Sequence, residues 1–249
     1  MTLKTPTRLH LLDALRGLTL ISMTVYHAMW NLVHLYGIDG AWFTGPAGYF
    51  WQQSICWTFI ALSGFCFSLG RNPAKRGLII FLGGILVSVV THLVMPAARI
   101  TFGILTFTGS AVLLTAAAER LLRKAPPLPG LLVSGALFVL LRNVPKGSLG
   151  FEGLVLVRLP RCLPRNYLTA YLGLPPADFW SADYFPLLPW LLLFLCGYFL
   201  FRVFQVRGWN ERFFARGNFP VLNFLGRHSL IVYLLHQPVI YGLMTLLIH

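Results

Sequence analysis

Three ionisable side chains interrupt an apolar, helix-length stretch that runs from Leu12 to Asn31. Asp13, Arg16 and His27 recur at helical spacing, so they share one face of a predicted helix. Asn31 follows one turn after the histidine on that face. Asp13 and His27 then lie roughly 20 Å apart along the axis, about two-thirds of the hydrocarbon thickness. Because ionisable side chains are costly at such depth, this polar face predicts a functional site.

The deepest of these side chains, His27, could act as a base. A neutral imidazole can take a proton from an acceptor hydroxyl or amine. Asn31 could orient the ring or stabilise a developing oxyanion. In the last predicted span His236 is followed by Gln237 and Pro238, and we expect it to meet the outer half of the first helix and join the catalytic set. For each histidine, a helix-to-helix hydrogen bond without catalysis is the alternative.

Cationic side chains gather at the predicted cytoplasmic ends of the spans. Arg16 lies at the mouth of the polar face, and Arg227 opens the last span. Arg71, Lys75 and Arg76 follow the second span. Such groups suit phosphate oxygens, so we predict that all five bind the phosphates of a nucleotide-like cosubstrate. For Arg71, Lys75, Arg76 and Arg227 a plain topology signal is the alternative.

An acidic and aromatic segment, SADYFPLLPW, precedes the sixth predicted span. Asp183 is a suitable N-cap for that helix, and Pro189 is expected to kink it. Asp183 and Tyr184 together are also typical of the lip of a sugar site. They are candidate substrate-binding residues, as is His34 at the outer end of the first helix.

The elements that must position these side chains are membrane helices. The chain is 57% hydrophobic and 11% charged, which is too apolar for a soluble domain. The net charge of +13 does not indicate nucleic acid, because the basic residues lie between apolar runs in the positive-inside pattern. The four cysteines lack metal-ligand spacing, so neither a disulfide nor a metal site is expected. The fold class predicted is an all-α, polytopic transmembrane bundle forming one domain, residues 1–249.

About seven apolar segments have the length, roughly 20 residues, that crosses a bilayer. The charge pattern predicts a cell-membrane protein with its N-terminus in the cytoplasm and its C-terminus outside. The segment from Phe151 to Val157 is too short to cross, so an interfacial, re-entrant or half-helical piece is expected there. The predicted spans are residues 11–36, 47–70, 77–95, 101–119, 129–142, 184–204 and 219–247.

Several motifs of this chain together resemble one known family. They are LDALRG followed by a histidine after about one span, SG in LSGFCFSLG, FGIL, SADYFPLLPW and LGRHSLIVYLLHQP. The set resembles the bacterial membrane proteins related to heparan-α-glucosaminide N-acetyltransferase, within the transmembrane acyltransferase superfamily. The resemblance extends from Leu12 to Pro238.

The resemblance implies an enzyme that moves an acyl group, commonly acetyl, from cytoplasmic acyl-CoA to a sugar-like acceptor at or across the membrane, without a metal. YHAMWN resembles the His-Ala-x-Trp-Asn signature of the lysosomal enzyme, so His27 matches the histidine that activates the acceptor. Alignment from Asp13 instead makes His34 the match. Relatives often have a histidine at the place of Thr106. The implied partners are the lipid bilayer, acyl-CoA and the acceptor, and a homo-oligomer is left open.

Two other function classes stay open at this point. A transporter or permease would use the polar face as a path and the last span as a gate. The sequence shows no inverted repeat of the kind common in such proteins. A non-catalytic assembly protein is the third class.

Overall fold

In a computed structural model the chain is mostly helical. The structure describes residues 9–160, 162–215, 217 and 219–248. The helices are α1 (His10–His34), α2 (Ala41–Thr44), α3 (Pro46–Phe65), α4 (Pro73–Val94), α5 (Ile104–Leu122), α6 (Pro127–Leu141), α7 (Tyr167–Leu172), α8 (Leu187–Val206), α9 (Trp209–Phe214), α10 (Pro220–Arg227) and α11 (Ser229–Ile248); the strands are β1 (Ser148–Phe151) and β2 (Leu154–Arg158).

Five helical segments among the described residues are long and apolar enough to cross a membrane: α4, α5, α6 with the turn after it, α8 and α11. They make the chain a multi-pass membrane protein. Helices α1 and α3 have 25 and 20 residues, but both carry several polar side chains. The prediction of about seven spans is therefore confirmed for five segments, and the two further spans remain a prediction.

Two helices depart from regular geometry where the sequence places special residues. Leu188 leaves the helical backbone region inside α8, which confirms the kink predicted at Pro189. The last predicted span, 219–247, is not one helix. It is divided at His228 into α10 and α11, because the backbone of His228 turns out of the helical conformation.

The chain divides into two compact units. The first contains Met1–Leu62 and Phe204–His249, and the second contains Ser63–Val203. In the first unit α1 packs against α10 and α11, and its Leu20 and Met23 pack on Ile55 of α3. The assignment of the chain to a single domain stays a prediction.

Two glycines bring α1 and α10 into backbone contact in the first unit. A Cβ atom on Gly17 would lie 2.1 Å from the carbonyl oxygen of Leu222, and one on Gly226 would lie 1.9 Å from that of Asp13. Only glycine permits so close an approach. The glycine of LDALRG and the glycine of LGRHS are thus the two sides of one helix contact.

In the second unit α4 and α5 form a similar contact. A Cβ atom on Gly84 would lie 2.4 Å from the amide nitrogen of Thr106, and one on Gly109 would lie 2.4 Å from that of Phe81. At the far end of α5, Arg202 of α8 donates hydrogen bonds to the carbonyls of Leu122, Arg123 and Ala125 at 2.7, 3.0 and 2.9 Å. These bonds satisfy carbonyls that the end of a helix leaves without partners.

Strands β1 and β2 form an antiparallel hairpin after α6. The pairing runs from Ser148 with Arg158 to Phe151 with Leu154, with an irregularity between Leu149 and Gly150. The segment from Phe151 to Val157 is therefore mainly strand, so the all-α class needs this correction, and the interfacial or re-entrant position of the segment stays a prediction. An apolar run of that length satisfies its backbone groups as readily in a hairpin as in a helix turn.

Candidate functional site

Helices α1 and α11 place His27 and His236 side by side. Their ring centroids are 4.8 Å apart with the planes at 66°. Tyr26 contacts the ring of His27 edge-on at 5.8 Å, and Tyr233 contacts that of His236 at 5.2 Å. Two histidines that are distant in sequence thus form one pair in the first unit.

Each of these histidines turns the same ring nitrogen toward its own helix. The Nδ1 atom of His27 lies 2.9 Å from the carbonyl oxygen of Met23, and the Nδ1 atom of His236 bonds the carbonyl of Tyr233. A carbonyl oxygen can only accept, so both Nδ1 atoms must carry the proton. In the neutral rings each Nε2 atom then holds a lone pair, as a base or a nucleophile requires.

The lone pair of His236 is shielded from solvent. The residue is 8% exposed, and Nε2 is buried without a hydrogen-bond partner among the described residues. A buried polar atom in that condition carries a free-energy cost of about 1–3 kcal/mol. Such a group is expected where a substrate or a proton supplies the missing partner.

Asn31 joins the same pair of helices. Its Nδ2 atom donates to Oε1 of Gln237 at 3.2 Å, and Asn31 is 2% exposed. An amide nitrogen carries two protons, so a second N–H of Asn31 remains beyond this bond. Gln237 is the residue that our predicted set lacks; its position directly after His236 is the only signal that could have indicated it.

The predicted cations of the first unit lie at the α1–α10 contact. Arg16 donates from a guanidinium nitrogen to Oδ1 of Asp13 at 3.1 Å, the local pairing that three-residue spacing allows. Arg227 donates from Nε to the carbonyl of Asn223 at 3.0 Å and is exposed. Both arginines neighbour the contact glycines in sequence. The contact therefore brings the two cations to one end of the unit.

The other three predicted cations belong to the second unit. Arg71 and Lys75 are exposed. Arg76 is partly buried and donates to the carbonyl of Phe67 at 2.9 Å. Asn72 caps α4 by accepting from the amide of Lys75 at 3.2 Å. The start of α4 therefore has two exposed cations, and a third, Arg76, whose guanidinium makes a hydrogen bond within the fold.

Asp183 caps a helix, but not the one predicted. Its Oδ2 atom accepts from the amide of Ile104 at 3.0 Å, which is the first residue of α5, whereas α8 begins only at Leu187. Burial raises the pKa of Asp183 to about 6, and the hydrogen bond from Ile104 opposes that rise. Expecting a cap for α8 was wrong because the segment before α8 folds back onto the start of α5.

Tyr184 and His34 occupy different surroundings. The hydroxyl of Tyr184 donates to the carbonyl of Ala170 in α7, and burial raises the pKa of that hydroxyl. His34 is exposed and stacks on Trp30, with ring centroids 4.7 Å apart. Its Nδ1 atom bonds the carbonyl of Trp30 at 3.1 Å. Of the predicted substrate-binding set, His34 alone has an exposed ring.

A model of the catalytic region of heparan-alpha-glucosaminide N-acetyltransferase matches residues 8–238, nearly the whole chain. The chain belongs to this family. The resemblance inferred from the motifs is thereby confirmed. No curated protein and no solved structure matches the chain at a significant level.

Membership of the heparan-alpha-glucosaminide N-acetyltransferase family makes this chain a member of a group of membrane acetyltransferases. The matched region contains α1, α10 and the part of α11 that carries His236. The motif glycines and the histidine pair therefore all fall within the catalytic region of the family.

Thr106 lies in the α4–α5 contact. It is 3% exposed, and its hydroxyl is buried without a partner among the described residues. A Cβ atom on Gly84 would lie 2.5 Å from that hydroxyl. A threonine at this place offers no base near neutral pH, so any imidazole chemistry in this chain must come from other positions.

Proposed function

We propose that the chain is an integral membrane acetyltransferase that moves an acetyl group from cytoplasmic acetyl-CoA to a sugar or related acceptor at or across the membrane. The observation that carries this proposal is the His27–His236 pair, in which both Nδ1 atoms are committed to backbone carbonyls. Both Nε2 atoms therefore offer lone pairs. Histidines that only linked two helices by a hydrogen bond would need neither of these lone pairs.

In the direct reaction, His27 acts as the general base. Its Nε2 atom takes the proton of the acceptor amine or hydroxyl while that group forms a bond to the thioester carbonyl carbon. The carbon–sulfur bond then breaks, and the thiolate leaves. The imidazolium returns its proton to the sulfur, so the products are the acetylated acceptor and CoA as its thiol.

A relay through the enzyme is the second mechanism that this pair supports. One Nε2 atom attacks the thioester carbon, the carbon–sulfur bond breaks, and an acetyl-imidazolium forms while CoA leaves as its thiolate. The acceptor then attacks the acetyl group and releases the first ring as neutral imidazole, while the neighbouring imidazole takes the acceptor's proton and passes it to the thiolate. The two adjacent rings, whose centroids are 4.8 Å apart, supply a nucleophile and a base for these two steps.

Asn31 is the group that we assign to the oxyanion. In the tautomer fixed by Tyr233, His236 has no proton on Nε2 and cannot donate a hydrogen bond there. Asn31 keeps one N–H beyond its bond to Gln237. A neutral amide donor in a buried site is the usual means of stabilising a tetrahedral intermediate.

Arg16 and Arg227 of the first unit are one candidate set for the donor phosphates. Arg71, Lys75 and Arg76 of the second unit are a separate candidate set. Arg16 and Arg227 flank one helix contact, which supports a shared phosphate site at that end. On the acceptor side, Asp183, Tyr184 and His34 remain the proposed residues. Of these, His34 has the exposed aromatic edge that a sugar could approach.

The proposal is tested with purified protein in liposomes, supplied with acetyl-labelled acetyl-CoA and glucosamine as the acceptor. We expect labelled N-acetyl product in amounts equal to the CoA thiol released, and no product with His27→Ala. Exchange of glucosamine across the membrane without any thiol release would overturn the proposal and favour a transporter. Absence of both activities with a range of amine and hydroxyl sugars would favour an assembly protein.

A further inference from the structure

The hairpin formed by β1 and β2 is fastened to the second unit along one side. Asn143, 1% exposed, donates from Nδ2 to the carbonyls of Glu152 and Leu154, both at 3.0 Å. Arg142 lies 2.9 Å from a carboxylate oxygen of Glu152, and its guanidinium stacks 4.5 Å above the ring of Trp190. These contacts hold the hairpin against the end of α6 and the start of α8.

The other side of the hairpin is an exposed apolar strand. Leu154, Val155, Leu156 and Val157 of β2 are 61%, 52%, 57% and 57% exposed. Four consecutive large apolar side chains on an edge strand would promote aggregation in water. The contacts at Glu152 and Leu154 hold this strand in a fixed position on the second unit.

Helix α6 provides the reason for such a surface. It has 15 residues and is roughly 22 Å long, so it reaches the ~30 Å of a hydrocarbon core only together with the turn that continues to Lys146. Its own exposed side chains are apolar, including Leu132 and Val133 at 63% and 58%. Strand β1 packs on this helix. The exposed strand therefore extends the lipid-facing surface beyond the point where the short helix ends.

The unpaired backbone groups of β2 and the charges beside it determine how deep the strand lies in the membrane. An edge strand has N–H and C=O groups without strand partners, and these cannot lie in hydrocarbon. The headgroup layer offers water and phosphate to such groups. Lys146, Arg158 and Arg165 beside the strand are exposed, and cations at this depth pair with lipid phosphates.

We propose that β2 is a membrane-anchoring strand that lies in the interfacial layer of the leaflet at the α6 C-terminal end. Successive side chains of a strand point to opposite faces, so one alternate pair of the four apolar side chains reaches toward the acyl chains and the other pair lies at headgroup level, where Arg158 and Arg165 contact lipid phosphates. The partner of this surface is the phospholipid of the bilayer. By the charge pattern of the sequence this is the outer leaflet.

Nitroxide labels on the full chain in phospholipid liposomes test the proposal. Cys162, which is exposed, is first replaced by serine, and the signal of that protein is subtracted. Labels are then placed through Val155→Cys and Leu156→Cys, with Asp178→Cys as a control at an exposed polar position of the same unit. Collision rates with oxygen, which partitions into lipid, and with a water-soluble nickel chelate are measured for each.

Because positions 155 and 156 lie on opposite faces of β2, we expect the oxygen-to-nickel ratio at one of them to be several-fold above that of the control and the ratio at the other to be intermediate. Ratios equal to the control at both positions would place the strand in water and overturn the proposal. Exclusion of both reagents at either position would also overturn it, since a second copy of the chain or another protein would then cover the strand.

Discussion

The ring centroids of His27 and His236 lie 4.8 Å apart, and both Nδ1 atoms are hydrogen-bonded to carbonyls of their own helices. The backbone thus fixes the tautomer of each ring before any substrate is present. Since Nδ1 is occupied, both rings can act only through Nε2. The proposed chemistry therefore depends on how α1 and α11 are held together as much as on the histidines themselves.

The two alignments of the first helix predict different losses of acetyl-transfer activity for the His27 and His34 variants. We expect His27→Ala to lower kcat/KM for acetyl transfer by roughly 10²–10⁴-fold, because the acceptor loses its general base. His34→Ala should stay within a few-fold, since that ring is exposed and stacks on Trp30. Initial rates at equal amounts of folded protein measure both. If His34→Ala showed the larger loss, the alignment from Asp13 would be correct.

Asn31 and Gln237 share a hydrogen bond but differ in their proposed roles. Asn31→Leu should lower kcat by about 10²–10³-fold through loss of an oxyanion donor, with little change in KM for acetyl-CoA. Gln237→Leu removes only the bond between the helices and should cost far less. Steady-state kinetics of the two single variants decide the matter. Equal losses would mean that Asn31 acts only by positioning α1 against α11.

Asp183 makes stability depend on pH. Burial raises its pKa from 3.8 to about 6 in the folded protein, so between these values the folded state holds a proton that the unfolded chain has released. Rising pH therefore lowers stability through this window, by at most about 3 kcal/mol, and the effect is complete above pH 6. Asp183→Asn keeps an acceptor for Ile104 and cannot ionise.

Thermal unfolding in detergent at pH 4.5 and 7 tests this expectation. The unfolding temperature of the wild type should fall more between these pH values than that of Asp183→Asn. Parallel profiles would contradict it. Normal acetyl transfer by the same variant would show that Asp183 serves α5 and not the acceptor.

The glycine contact between α1 and α10 predicts a steric effect. Gly17→Ala and Gly226→Ala should each destabilise the protein by about 1–3 kcal/mol, because the added methyl meets a backbone carbonyl that cannot move aside. Gly242→Ala is the matched control, since nothing lies within 4 Å of its added Cβ atom. Unfolding temperatures of the three variants give the comparison. Destabilisation equal to that of Gly242→Ala would contradict the contact.

The sequence predicted what depends on spacing within one helix. The face with Asp13, Arg16 and His27 follows from the helical period, and so does the Asp13–Arg16 pair. The kink near Pro189 follows from the proline ring. These features need no knowledge of neighbouring elements.

Features that depend on distant neighbours escaped prediction. Asp183 caps a helix whose first residue lies 79 positions earlier in the chain, and no local pattern encodes that pairing. Gln237 became a partner of Asn31 only when α1 and α11 packed together. The hairpin was missed because the run LVLV is uniformly apolar, and such a run does not distinguish strand from helix.

The arginines at the predicted cytoplasmic ends are preorganised. Arg76, Arg202 and Arg227 each donate to a backbone carbonyl, which restricts the orientation of the guanidinium. Lysine at these positions would keep the positive-inside pattern and thus the topology. Lysine lacks the planar guanidinium with its fixed N–H directions. Part of the free energy of phosphate binding would then be spent on ordering the flexible lysine side chain.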